Sequence, residues 1–152
     1  MKIRSLAASF FLAMTLAPWA VAAPHSTDFK DLMRKEFDAW STLDMEKVAP
    51  FYAQGPDYVF YDLTPLKYSS WADYAAGVKK ILPDLTSIKF TIHDDAQTHQ
   101  HGHLAWGTAT MLVQLVTKEG KHEQLEARWT AIWEKQGKNW VIVHEHFSAP
   151  VP

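Results

Sequence analysis

Arg128 to Pro150 reads R-W-T-A-I-W-E-K-Q-G-K-N-W-V-I-V-H-E-H-F-S-A-P, and the reading of this stretch decides the fold. Two alternating runs, rich in β-branched and aromatic residues, flank Gln136-Gly137, a two-residue turn signal, so the stretch predicts an antiparallel hairpin. A turn closed there sets Lys135 opposite Lys138, Trp133 opposite Trp140, Trp129 opposite His144 and Arg128 opposite Glu145. In that register His144 and His146 share a face with Trp129 and Trp140, while Arg128 and Glu145 share the other. One set looks into the interior and the other looks out. A bulge in the second strand would re-aim Glu145.

Working outward from the hairpin, His103 to Thr117 is a long strand with apolar residues on both faces, including Leu104 and Trp106 on one and Ala105 and Met111 on the other. Burial on both sides is the expectation. Before it, Gln100 to Gly102 predicts a turn, and Ile88, Phe90 and Ile92 alternate with polar residues as a strand does. Phe29, Leu32, Met33, Phe37 and Trp40 fall at helical spacing behind the cap candidates Ser26, Thr27 and Asp28. Asp44 caps a second, shorter helix through Val48, Phe51 and Tyr52, which Pro50 should bend. Asp57 to Asp62 predicts a short strand, and Ser70 with Asp73 opens a third helix that Pro83 stops. Helices, one strand, a helix and then a meander of four long strands make an α+β domain, with a curved antiparallel sheet wrapped around helices.

The chain has 152 residues and no cysteine, so its stability must come from a packed core that seven tryptophans, five tyrosines and eight phenylalanines can supply. Met1 to Arg4 is a short basic segment, Ser5 to Ala17 an apolar run, and Ala20-Val21-Ala22 a cleavage signal. The apolar run is short beside the ~20 residues that a membrane span needs. We therefore expect a signal peptide over 1–22, a mature domain over 23–152, and a periplasmic or secreted protein that no longer contacts the membrane. Without Lys2 and Arg4 the mature chain keeps 13 basic against 17 acidic residues, a balance that argues against nucleic acid as partner.

The last strands resemble the SnoaL-like branch of the nuclear transport factor 2-like superfamily. The matching residues are Arg128-x-Thr130-x-Ile132-Trp133, then Gly137 and Trp140, then Val143-His144-x-His146-x-Ser148-x-Pro150. The helix over Phe29 to Trp40, the Leu43-Asp44 break and a strand ending in Asp62 fit the same pattern. The terminal His-x-His strand is similar as well to the association domain of calmodulin-dependent kinase II. The resemblance implies a cone-shaped fold, a bent sheet closing over helices, a pocket at the open end and frequent dimerisation through the sheet. Relatives range from ketosteroid isomerases, polyketide cyclases, epoxide hydrolases and dehydratases to non-catalytic association domains, so it implies little about activity.

Among the residues that could carry chemistry, Tyr61, Asp62, Trp106, Arg128, His144, Glu145 and His146 are the candidates for lining the pocket. Two same-face imidazoles, a carboxylate and a phenol supply the inventory of an acid–base site, with Asp62, His144 or His146 moving the proton. Tyr58 and Tyr61 point to opposite faces, so at most one can accompany Asp62. Arg128 would pair with Glu145 or hold a ligand oxygen. His99, His101 and His103 are weak metal candidates around a turn, with a solvated loop as the simpler reading, and no metal site or cofactor is expected. The expected function is an exported domain that binds a small organic molecule; the residues leave open whether it also turns that molecule over as a cofactor-free isomerase, dehydratase or hydrolase. The alternatives are a non-catalytic self-association module, favoured if Trp129, Trp133 or Trp140 is exposed, and metal binding through the histidines.

Overall fold

The computed structural model describes residues 27–150, so the signal peptide expected over 1–22 lies outside the described residues. Helix α1 (Phe29–Trp40) starts where Asp28 accepts a hydrogen bond from the Asp31 amide at 3.1 Å. Its spacing buries Phe29, Met33, Glu36, Phe37 and Trp40 along one stripe. Helix α2 (Met45–Val48), capped by Asp44, passes at Pro50 into a single 3₁₀ turn, Ala49–Phe51, so the expected bend is there. Tyr52 then leaves in extended conformation. Helix α3 (Trp71–Ile81) is capped by the Ser70 hydroxyl, and Pro83 sits in a 3₁₀ turn that ends it.

The strands are β1 (Phe60–Tyr61), β2 (Leu85–Ile92), β3 (Gln97–His101), β4 (Leu104–Thr117), β5 (His122–Gln136) and β6 (Asn139–Ser148). They form one curved, unclosed sheet in the order β1-β6-β5-β4-β2, with β3 pairing beside β2 on β4. The α+β class and the sheet curving around helices are as expected. One pair departs from the antiparallel expectation: β1 runs parallel to β6, with Phe60 beside Glu145 and Tyr61 beside His146. The strand expected over Asp57 to Asp62 shrinks to these two residues at the sheet's edge.

Helix α1 lies across the inner face. Phe29 packs on Trp133 and Trp140 with ring centroids 5.4 and 4.9 Å apart, and Phe37 on Trp129 and Phe90 at 5.5 and 4.9 Å. The inner residues in the first part of β4 are small (Ala105, Gly107, Ala109), which leaves room for the Trp129 and Trp133 rings of β5. The expectation that β4 is buried on both faces is corrected here. Its residues alternate, and Leu104 and Trp106 are 49% and 43% exposed on the outer face because no layer of the described residues covers it.

The terminal hairpin forms, but in a different register. Its two-residue loop is Gly137-Lys138, with Gln136 opposite Asn139 and Trp133 opposite Ile142. Gly137 comes first in that loop and takes φ +62°, the place a type II′ turn gives to glycine. Beyond this point the ladder shifts. Ile132 pairs with His144, leaving Val143 as the extra residue of a bulge, and thereafter Ala131 faces Glu145, Trp129 faces Phe147 and Arg128 faces Ser148. The expected pairs Trp129–His144 and Arg128–Glu145 are therefore not made.

Candidate functional site

Between α1, α3 and the inner faces of β2, β4, β5 and β6 lies a cavity of about 240 Å³. Its walls are apolar and aromatic, with Phe37 and Trp40 from α1, Tyr74 and Val78 from α3, and Phe90 and Phe147 from the sheet among them. The polar side chains in the lining are those of Asp62, Thr64, Tyr74 and Glu145, and among the described residues no lysine, arginine or histidine belongs to it. A small volume with apolar walls and few convergent polar groups is the ordinary form of a small-molecule site.

Glu145 owes its place to the bulge. Ile142 and Glu145 both point inward with two residues between them, where a regular strand allows only one. Its carboxyl is 2% exposed and takes a hydrogen bond from Trp129 Nε1 at 2.5 Å on one oxygen. The other oxygen takes the Tyr52 hydroxyl at 2.7 Å and lies 3.4 Å from the Tyr74 hydroxyl. Behind Tyr52 is a second buried carboxyl: Glu36 Oε1 lies 2.9 Å from the Tyr52 oxygen, which also accepts from Trp40 Nε1 at 3.0 Å. Glu36 Oε2 has no hydrogen-bond partner among the described residues.

Burial dominates the electrostatics. It pushes the Glu145 carboxyl up to about 7, against the Tyr52 and Trp129 hydrogen bonds that favour its ionised form; the nearby charge of Asp62 raises it further. Glu36 is pushed well above the usual carboxylate range by burial and then by the charge of Glu145. The phenols of Tyr52 and Tyr74 are likewise raised, first by burial and then by Glu145, so both remain neutral donors. Asp62, just beyond β1 at the same cavity, is raised by burial while the Leu63 amide at 2.7 Å favours its charge. A neutral-range carboxyl, a second carboxyl and the Tyr74 phenol at one apolar cavity, with Tyr52 behind them, can accept and donate protons near pH 7.

Of the residues the sequence singles out, the structure brings Asp62 and Glu145 to the cavity. The other five lie elsewhere, and their expected place in the pocket is corrected. His144 and His146 fall on the opposite side of β6 from Glu145, because the bulge reverses which residues face inward. They flank the Tyr61 ring at 5.4 and 5.6 Å, and His144 Nδ1–H donates to the Val59 carbonyl at 2.8 Å. Arg128 is exposed and donates to the Ala149 carbonyl at 3.2 Å. Trp106 stands on the outer face of β4 stacked with His99 at 5.3 Å. His101 closes the β3–β4 turn and His103 lies within it, and no group of three or more potential ligands converges among the described residues.

Sequence reasoning missed Glu36, Tyr52 and Tyr74. For Glu36 a signal existed. It lies three residues after Met33 and four before Trp40, on the apolar stripe of α1, and a lone carboxylate on such a stripe needs a buried partner. Tyr52 and Tyr74 read as ordinary apolar positions because a phenol serves a core and a site equally well.

A family model described as SnoaL-like domain matches residues 30–152. Among solved structures, similarity extends to a nuclear transport factor 2-like superfamily protein of Salmonella enterica serovar Typhimurium, with TM-score 0.74 and 16% identity over 82% of this chain and 90% of that one. A candidate calcium/calmodulin dependent protein kinase II association domain of Xanthomonas campestris aligns with TM-score 0.70 and 24% identity over 86% and 93%. A candidate dehydratase of the nuclear transport factor 2-like family from Streptomyces avermitilis aligns with TM-score 0.71 and 13% identity over 82% and 95%. At these identities the likeness is one of fold. No protein with a curated description matches significantly.

Proposed function

This chain belongs to the SnoaL-like domain family, and from that premise we propose that its cavity binds a small, uncharged organic molecule and moves a proton on it. The observation that carries this reading is the buried Glu145 carboxyl on the cavity wall, pushed up to about 7 and held by Trp129 and Tyr52. A base whose pKa lies near the working pH combines the right protonation state with useful driving force.

Glu145 takes a proton from an activated carbon or hydroxyl of the ligand, Tyr74 offers its O–H to oxygen that gains charge, and Asp62 serves as the second proton site. That inventory suits isomerisation or dehydration without a cofactor, in keeping with the candidate dehydratase among the similar folds. Among the described residues no basic side chain lines the cavity, which leaves an anionic ligand unmatched, and the Glu145 and Asp62 carboxyls, both raised by burial toward their uncharged forms, favour a neutral ligand over a cation.

The test is a panel of small cyclic ketones and hydroxy compounds, read by thermal shift and by turnover. A neutral member should stabilise the wild type, and Leu115→Trp, which fills the cavity from β4, should remove that stabilisation. Glu145→Gln should keep binding but lose turnover by about 10²-fold or more. Stabilisation that survives Leu115→Trp, or none across the panel, would sink the reading.

Self-association is a second property we propose, through the outer sheet face where Leu104 and Trp106 are exposed. Trp129, Trp133 and Trp140, whose exposure would have favoured a purely associative module, are buried. Sizing at micromolar concentration tests it, and a strict monomer would exclude it. Export to the periplasm or medium, also proposed, would be tested by recovering from the host a chain that begins at Ala23.

A further inference from the structure

The Tyr52 hydroxyl sits between two carboxyl oxygens, 2.9 Å from Glu36 and 2.7 Å from Glu145, and also accepts from Trp40 Nε1. A phenol has a single hydrogen to give. Both carboxylates cannot be ionised and both bonded, because one of the two short contacts would then set bare oxygen against bare oxygen. The arrangement closes only if one carboxyl carries a proton and donates it to Tyr52, whose own hydrogen goes to the other. Two like charges in a dry interior would point the same way. The unpartnered Glu36 Oε2 places the resting proton: an orphan carbonyl oxygen of a neutral acid costs far less than an orphan oxygen of a buried carboxylate.

We propose that Glu36, Tyr52 and Glu145 form a relay carrying one mobile proton, through which Glu145 changes from base to acid without exchanging with solvent. This rests on the reading that Glu145 works on a ligand, and it assigns Glu36 as a positioning residue that touches no ligand itself. In the transfer, the Glu36 Oε1–H bond breaks as that hydrogen bonds to the Tyr52 oxygen. The Tyr52 O–H bond breaks as its hydrogen bonds to Glu145 Oε2. Tyr52 is a neutral phenol before and after, and the pair of carboxyls carries one negative charge throughout.

The other titratable groups that face the relay are Tyr74 of α3 and Asp62 beyond β1; from the sheet, β5 contributes the Trp129 N–H. None of the ion pairs among the described residues reaches either carboxyl, so no cation is there to let both ionise. Asp62 and Tyr74 line the cavity with Glu145, whereas Glu36 and Tyr52 stand behind it. The proton store is thereby separated from the ligand by the residue it serves.

The experiment uses the unliganded protein, so it reports on the relay whether or not the proposed ligand is right. Infrared spectra at mildly alkaline pH should show the carbonyl stretch of one protonated carboxyl in the wild type. Glu145→Gln should keep that band, because the proton stays on Glu36. Glu36→Gln should lose it, since the amide introduced there donates an N–H to Tyr52 permanently and Glu145 ionises alone. Should either variant fail to fold, glutamate labelled at the carboxyl carbon gives the same answer in the wild type by NMR. Two buried carboxyls should then titrate jointly, taking up one proton between them at neutral pH. A wild type with no protonated carboxyl at mildly alkaline pH, or a band that survives Glu36→Gln, would overturn the proposal.

Discussion

At the scale of the single residue, Trp129 does two jobs: its ring fills the space over Gly107, and its N–H holds the Glu145 charge. Trp129→Phe keeps most of the first and removes the second. Losing a donor to the ionised form raises a carboxyl's pKa, so Glu145 in that variant should titrate above about 7. Infrared pH titration reads the shift, and an unmoved midpoint would deny the bond any role. The raised value of Glu145 also fixes how stability depends on pH. Its folded pKa lies above the ordinary 4.5, so the folded chain binds the proton more tightly than the unfolded one. Stability from this group is fully present below pH 4.5 and is lost as pH rises toward about 7, by roughly 3 kcal/mol in total. Glu145→Gln should make that part of a denaturation-versus-pH series shallower, the slope that remains belonging to Glu36, and a series unchanged by the substitution would count against the assignment.

At the scale of the element, two substitutions separate local from tertiary support. Ser70→Ala removes the hydroxyl that accepts from the Asp73 amide at 3.1 Å and should cost about 1 kcal/mol in chemical denaturation. It also loosens the start of α3, which carries Tyr74 and Val78 to the cavity. Gly107→Ala puts a methyl 2.8 Å from the Trp133 ring, inside contact distance, and should cost about 1–3 kcal/mol. A cost near zero there would mean that the Trp129–Trp133 pair can move. The helices were legible in the sequence because caps and spacing are local: Asp28, Asp44 and Ser70 begin helices, and Pro50 bends one. The hairpin's existence was legible for the same reason. Its register was not, because Gln136-Gly137 and Gly137-Lys138 both satisfy a glycine turn, and only the backbone shows that Gly137 comes first. Nor does composition mark Val143 as a bulge; packing of Ile142 and Glu145 against the helices selects it. So Asp62 and Glu145 were found as residue types, whereas the partners of Glu145 come from the turn after α2, from α3 and from β5, with Glu36 of α1 behind Tyr52, and no local pattern joins these elements.

At the scale of the molecule, the cavity's charge makes a prediction that no single residue does. A carboxylated analogue of a neutral ligand must share the cavity with Glu145 and Asp62, and its affinity should fall as pH rises through about 7, where Glu145 ionises. The neutral parent should bind equally on both sides of that pH. Calorimetry on the pair distinguishes the two, and parallel curves would show that the ligand's charged end lies outside the cavity. The bulge at Val143 gives the sheet a further property. Along β6 the outward-facing residues carry imidazoles and the inward ones a carboxyl, like two messages interleaved on one tape. One unpaired residue sets which message is read from inside. The chemistry of the floor is therefore a matter of phase rather than of composition. A length change of a single residue on the turn side of Glu145 would exchange a carboxyl for an imidazole there and leave the architecture around it in place.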